Sequence, residues 1–161
     1  MRRSSHAEYV TVPANQLAPR PAAVPWEVAG SLFVAGATAY AAVRAVRLQP
    51  GDTVAIAGAV GGVGSIVVPG GGYVAMAVED LTVPRDRVDT ITDFGAVERY
   101  GVLSAGGADA ATAAVVAELA DLVAQGELEV PIAGLFALDD VRDAYQELEK
   151  RHTRGKLVLR P

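Results

Sequence analysis

The chain has 161 residues, 51% of them apolar and 20% charged, with a net charge of −5. That is one globular domain's worth of polypeptide, able to bury roughly 70% of its unfolded surface. An acidic balance argues against nucleic-acid binding, which uses a basic patch. The absence of cysteine excludes disulfides, thiol nucleophiles and cysteine-held zinc. His6 and His152 show no ligand spacing, so no metal centre is expected. The first residues carry two arginines without an apolar stretch behind them, unlike a signal peptide. The uncharged run 28–43 falls short of the ~20 residues of a membrane span, and the run 54–72 is broken by glycines and Pro69. A cytoplasmic protein without membrane or nucleic-acid partners is the expectation.

In chain order, residues 7–12 are β-branched or aromatic enough for a strand. Pro13, Pro19, Pro21 and Pro25 then mark an extended connection. A helix with Pro25 and Trp26 near its first turn runs through alanine-rich sequence to Arg47, with a break expected at Ala35-Gly36. After the turn at Pro50-Gly51-Asp52, residues 53–57 are uniformly apolar, as in a strand covered on both faces of a parallel sheet. Residues 73–81 fit helix or strand alike. A loop around Pro84 precedes a short strand at 88–91, and Asp93 caps a brief helix ending at Gly101. Helix signals run from Ala108 to Gln125, with Asp109 as the cap candidate and Gly126 after the end. Residues 128–137 read as extended. A helix follows Asp139 with Val141, Ala144, Tyr145 and Leu148 on one face, and residues 156–159 close the chain as a strand. Alternating strands and helices indicate an α/β fold.

The chemistry concentrates at Gly58-Ala-Val-Gly61-Gly62-Val-Gly64, directly after the 53–57 strand. A strand feeding closely spaced glycines into a helix holds the pyrophosphate of a dinucleotide on backbone N–H groups and the helix dipole. Against the G-x-G-x-x-G pattern the matching positions are Ala59, Gly61 and Gly64, with alanine in the first place. A glycine loop also arises where a strand and helix merely pack closely, and the motif alone leaves both readings open. Pro69-Gly-Gly-Gly72 cuts the expected helix short, and no ribose-selecting acid stands about 20 residues on.

The order of segments resembles the medium-chain dehydrogenases/reductases of the zinc-independent quinone oxidoreductase type. The matching pieces are Ala7-Glu-Tyr-Val-Thr-Val-Pro13, Leu17-Ala-Pro-Arg-Pro21, Val34-Ala-Gly-Ala-Thr38-Ala-Tyr40, Leu48-Gln-Pro-Gly-Asp-Thr-Val54, the glycine loop, Gly126-Glu-Leu-Glu-Val-Pro-Ile132 and Gly155-Lys-Leu-Val-Leu159. The resemblance implies an incomplete Rossmann-like parallel sheet with remnants of a GroES-like catalytic domain at both ends. The implied division is 1–25 (catalytic-domain remnant), 26–127 (shortened dinucleotide-binding domain) and 128–161 (return to the catalytic domain). It implies NADPH as cofactor and hydride transfer to a quinone or enone. The chain is about half the family's usual length, and a jump between Val68 and Pro69 omits the strands that hold the adenosine ribose.

The carried-over cofactor residues are Gly58, Ala59, Gly61, Gly62, Val63 and Gly64 for the pyrophosphate, Thr38 near the nicotinamide, and Arg151 toward a phosphate. Thr38 equally suits a helix hydroxyl bonded to the preceding turn, and Arg151 a cation on a helix C-terminus. No catalytic residue carries over. Trp26 and Tyr40 fit core or domain-junction packing, and Glu147, Glu149 and Lys150 a solvated helix face. The alternative function is a non-catalytic truncated paralogue or gene fragment without effective cofactor binding, whose exposed sheet edges and apolar faces favour a homodimer.

Overall fold

A computed structural model describes residues 9–56, 73–150 and 153–161. Residues 9–12 are exposed and form no strand, correcting that part of the 7–12 expectation. Their β-branched side chains find no neighbouring strand, and strand propensity without a partner forms no ladder.

Helix α1 (Trp26–Ser31) follows the extended Pro25, and α2 (Phe33–Ala45) follows after a single break at Leu32. The break lies earlier than Ala35-Gly36. Ser31 Oγ donates to the Glu27 carbonyl at 2.7 Å, a side-chain bond that competes with and bends a helix. Gly36 stays helical, its N–H donating to Leu32 O at 2.9 Å. The glycine serves packing there: a Cβ would lie 2.7 Å from Leu119 Cδ1.

Residues 53–56 form no strand, and Val54 and Ile56 stand 45% and 47% exposed. This overturns the doubly covered strand for its described part; residue 57 lies outside the described residues. A uniformly apolar run becomes a buried strand only when flanking strands and helices cover it. Tyr73–Ala75 (α3) continues into a wider turn at Met76–Asp80, so 73–80 is helical and Leu81 follows its end. Helix α4 (Phe94–Tyr100) starts at Asp93, whose Oδ1 accepts from Ala96 N at 3.0 Å, and ends at Gly101 with φ 68°. Both ends match the sequence. The expected 88–91 strand is reduced to one parallel bridge between Asp89 and Leu103.

The helix expected from Ala108 is two helices, α5 (Gly107–Ala110) and α6 (Ala113–Ala124). Thr112 caps α6, its Oγ1 accepting from Val115 N at 3.3 Å, while position 109 falls inside α5. Thr112 terminates the first run because its side chain satisfies an N–H that continued helix would otherwise bond. Gly126, at φ 77°, follows the end as expected.

The C-terminal unit is β1 (Ile132–Ala137), α7 (Val141–Glu149) and β2 (Lys156–Arg160). The two strands pair in parallel, Leu135 opposite Val158 and Ala137 opposite Arg160. A parallel pair needs a crossover, which α7 supplies. The architecture is therefore α/β with a parallel sheet, a partial Rossmann-like arrangement as expected.

Among the described residues, two apolar clusters hold it. Leu32, Leu119 and Ala120 form one, joined by Tyr40, Val115, Leu122, Val123, Leu128 and Val130. Val74, Ala96, Tyr100 and Val102 form the other, with Ala75, Val78, Val88 and Val97 against it. Among the described residues no helix is long and apolar enough to cross a membrane.

Candidate nucleotide site

Of the residues expected to hold a dinucleotide, Gly58, Ala59, Gly61, Gly62, Val63, Gly64 and Arg151 lie outside the described residues. Thr38 lies within them, near the middle of α2. Its hydroxyl donates to Val34 O at 2.8 Å, in a position open to solvent. That bond is the local arrangement anticipated for a helix threonine, and it leaves the oxygen's lone pairs as the remaining capacity.

What packs on Thr38 is the start of α5. A Cβ at Gly107 would lie 2.7 Å from Thr38 Oγ1. The approach to Gly107 begins at the parallel bridge, where Thr90 N donates to Leu103 O at 3.1 Å and Leu103 N to Val88 O at 2.9 Å. Both bridged segments run on from their carboxyl ends into loops: Ile91 to Asp93, and Ser104 to Gly107. In open α/β sheets ligands gather beyond the carboxyl ends of parallel strands, and Thr38 meets the second loop there.

Asp89 fixes that loop. Its Oδ1 accepts from Ala105 N at 2.6 Å, while Oδ2 is buried without a hydrogen-bond partner. Burial pushes the Asp89 carboxyl above its ordinary range, and the Ala105 N–H only partly opposes this. Thr90 beside it is buried, its Oγ1 accepting from Asp93 N at 3.2 Å. Neither Asp89 nor Gly107 was singled out from sequence. The available signals were a carboxylate inside the β-branched run 88–91 and the Gly106-Gly107 pair opening a helix.

Tyr40 is a tie between helices: its OH donates to Glu118 Oε2 at 2.8 Å and accepts from Arg44 at 3.1 Å. Trp26 is not core; it is exposed, with the Arg20 guanidinium 4.1 Å over its ring. Lys150 pairs with Glu147 at 2.6 Å on the solvated face of α7.

Residues 32–159 match the family model of the zinc-binding dehydrogenases. The chain belongs to that family. A stretch of 76 residues is 36% identical to an alcohol dehydrogenase of Schizosaccharomyces pombe, covering 47% of this chain and 22% of that protein. A stretch of 61 residues is 39% identical to alcohol dehydrogenase 2 of Emericella nidulans, covering 38% of this chain and 17% of that protein. The matched stretches thus span less than a quarter of either relative. Among solved structures, AibC superposes with a TM-score of 0.66 at 21% identity, over 97% of this chain and 67% of that one. A cobalt- and zinc-bound thermostable alcohol dehydrogenase from Pyrobaculum aerophilum gives 0.51 at 18% identity, over 81% and 57%. At such identities these likenesses speak to fold, and they agree with the α/β reading.

The family's description raises the question of zinc. The chain has no cysteine for a cysteine-held zinc, and among the described residues no three metal-binding side chains converge. No chemistry is routed through a metal here.

Proposed function

We propose that the chain is the nucleotide-binding portion of a zinc-independent, NADPH-dependent oxidoreductase acting on a quinone or enone in the cytoplasm. The carrying observation is the family match over 32–159, which contains the glycine loop and Thr38 together. In this reading Gly58, Ala59, Gly61, Gly62, Val63 and Gly64 receive the pyrophosphate, Arg151 faces a phosphate, and Thr38 borders the nicotinamide. The division into 1–25, 26–127 and 128–161 belongs to the same proposal, the outer parts being remnants of a GroES-like catalytic domain. Bound dihydronicotinamide would supply the hydride. The chain's own residues supply position: α2 presents Thr38, and the loop held by Asp89 and Ala105 packs Gly107 against it.

A thermal melt with and without NADPH tests this. A ligand present at 100 times its dissociation constant stabilises a fold by ~2.7 kcal/mol. A clear upward shift with millimolar NADPH is expected, and an unchanged melting temperature would remove the cofactor from the proposal.

A second reading draws support from the exposed Val54 and Ile56 and from a groove of about 570 Å³ between α1, α7 and β2. Trp26, Tyr145, Leu148 and Leu157 line it. On this reading the chain is a non-catalytic paralogue that associates through apolar surface instead of binding cofactor. Sedimentation showing a homodimer, with no NADPH-dependent shift in the melt, favours it; a monomer that binds NADPH argues for the first.

A further inference from the structure

We infer that the groove beside β2 receives residues 9–12 of a second copy of this chain as an added strand, in a reciprocal exchange that makes a homodimer. The inference rests on the self-association of the second reading above and supplies its mode; cofactor binding is neither required nor excluded.

The groove follows the side of a strand rather than one of its faces. Leu157, Val158, Leu159 and Arg160 all line it, whereas successive residues of a strand point to opposite faces. Four in a row share a groove when it runs along the strand's edge. That edge carries no strand: among the described residues the sheet has two strands, and β1 takes the other side of β2. Lys156 N donates toward β1, to Pro131 O at 2.8 Å. Backbone groups alternate in direction along a strand, so Leu157 and Leu159 turn their N–H and C=O groups to the open side. Exposed apolar side chains of α1 and α7, Trp26 and Leu148, wall the groove. A strand edge between apolar walls is the geometry in which an extended segment adds to a sheet, held by backbone bonds and by pockets for alternate side chains.

The occupant follows from the other end of the chain. Tyr9-Val-Thr-Val12 consists of uncharged, strand-forming residue types. It forms no strand in its own chain, and Tyr9 stands 92% exposed with Val10 and Val12 also open to solvent. Its four residues match the five of β2, and Pro13 then stops the ladder because it has no N–H to give. An uncharged segment suits a groove whose charged side chains, Glu27 and Arg160, already pair with each other. One strand-prone sequence lacks a sheet, and one sheet, marginal with two strands, gains from a third. Each copy carries both parts, so two copies exchange segments about a two-fold axis and leave no segment free for a third copy.

Sedimentation and amide exchange on the full chain test this with Val10→Pro and Thr11→Pro. N–H groups alternate between the two sides of a strand, so one of the two prolines must remove a ladder bond to β2. Both sites are exposed, so neither proline should lower the melting temperature of the dilute chain. Wild type is expected to sediment as a dimer. One of the prolines should raise the dimer dissociation constant about tenfold for each of the two exchanged segments and speed exchange at the Leu157 and Leu159 amides. The chain has no cysteine, so introduced thiols report the partner. Thr11→Cys, mixed under oxidation with size-tagged chains carrying Leu157→Cys, Val158→Cys or Leu159→Cys in turn, should cross-link to one of them. A dimer that survives both prolines unchanged overturns the inference and leaves the homodimer standing. So does the lack of any cross-link between chains, or a cross-link formed only within a chain carrying both cysteines, which would seat the segment in its own groove. A wild-type chain that is monomeric at every concentration overturns the inference and the second reading together.

Discussion

The two apolar clusters differ in how they are made. The one around Leu32, Leu119 and Ala120 joins long, regular helices, α2 and α6, with the approach to β1 packed on it through Leu128 and Val130. The one around Val74, Ala96, Tyr100 and Val102 joins short pieces: a wide helical turn, a two-turn helix and a single parallel bridge. Just before this second region, Val54 and Ile56 stand exposed. The contrast shows that apolar sequence does not itself make a core. Periodic sequence can bury its stripe against one neighbouring helix, whereas a doubly apolar strand needs layers on both sides. The first cluster should open only with the whole fold, and the second at lower free energy, by local unfolding.

Truncation at the centre of the first cluster is the strongest probe. Leu119→Ala should destabilise by ~3 kcal/mol, the transfer and cavity cost of a buried leucine, because Cδ1 fills the space that Gly36 leaves. Val102→Ala should cost less in urea unfolding yet raise hydrogen exchange around residues 88–103. Equal losses, with exchange rising everywhere, would make the two clusters one cooperative unit.

Next in size is Gly155→Ala, at the start of β2. Gly155 has φ 118°, and a Cβ would lie 2.7 Å from Pro131 O, the acceptor for Lys156 N. Backbone strain alone costs about 2 kcal/mol, and here a steric conflict accompanies it. Urea denaturation should show the loss, with fastest exchange at β1 and β2.

The helix caps give a matched pair. Thr112→Ala and Asp93→Ala each remove one side-chain bond to a helix N–H, worth ~1 kcal/mol. Thr112 caps α6 in the first cluster, so its loss should lower the global melting temperature. Asp93 caps α4 in the second, so its loss should show chiefly as faster exchange in α4. A reversed pattern would invert the assignment of the more stable region.

The caps also mark how much was legible. Asp93, Gly101 and Gly126 were readable because their signals are local: a carboxylate that accepts from the backbone, and glycines able to take positive φ. The β1–α7–β2 unit was readable for the same reason. Choosing Thr112 over Asp109 was not, because both residue types cap well and the break depends on how α5 and α6 pack on α2. The exposure of residues 53–56 was equally hidden, since their composition specifies a strand but not its neighbours. For the candidate site, the sequence located Thr38 but not what fixes it. Gly107 lies 69 positions away and meets Thr38 only in the fold; Asp89 acts through a backbone bond that no spacing rule reveals.

Asp89 supplies the smallest expected effect, and one that separates the second cluster by pH. Its carboxyl is shifted upward, first by burial and only partly offset by the Ala105 N–H. A folded pKa above the unfolded one means that the folded chain holds this proton more tightly. Stability from this group is therefore fullest below the unfolded pKa of about 3.9 and declines as pH rises through the folded value. Wherever the side chain is ionised, it keeps an oxygen buried without a donor. Asp89→Asn keeps an acceptor for Ala105 and removes the buried charge, so it should stabilise the fold slightly at pH 7, by less than a cap is worth. The gain should shrink as pH falls toward 4. Melts from pH 4 to pH 8 check the sign: a variant less stable than wild type at pH 7 would mean that Asp89 finds a favourable partner when ionised, and that the loop ahead of Gly107 is held by its charge rather than by the Ala105 bond alone.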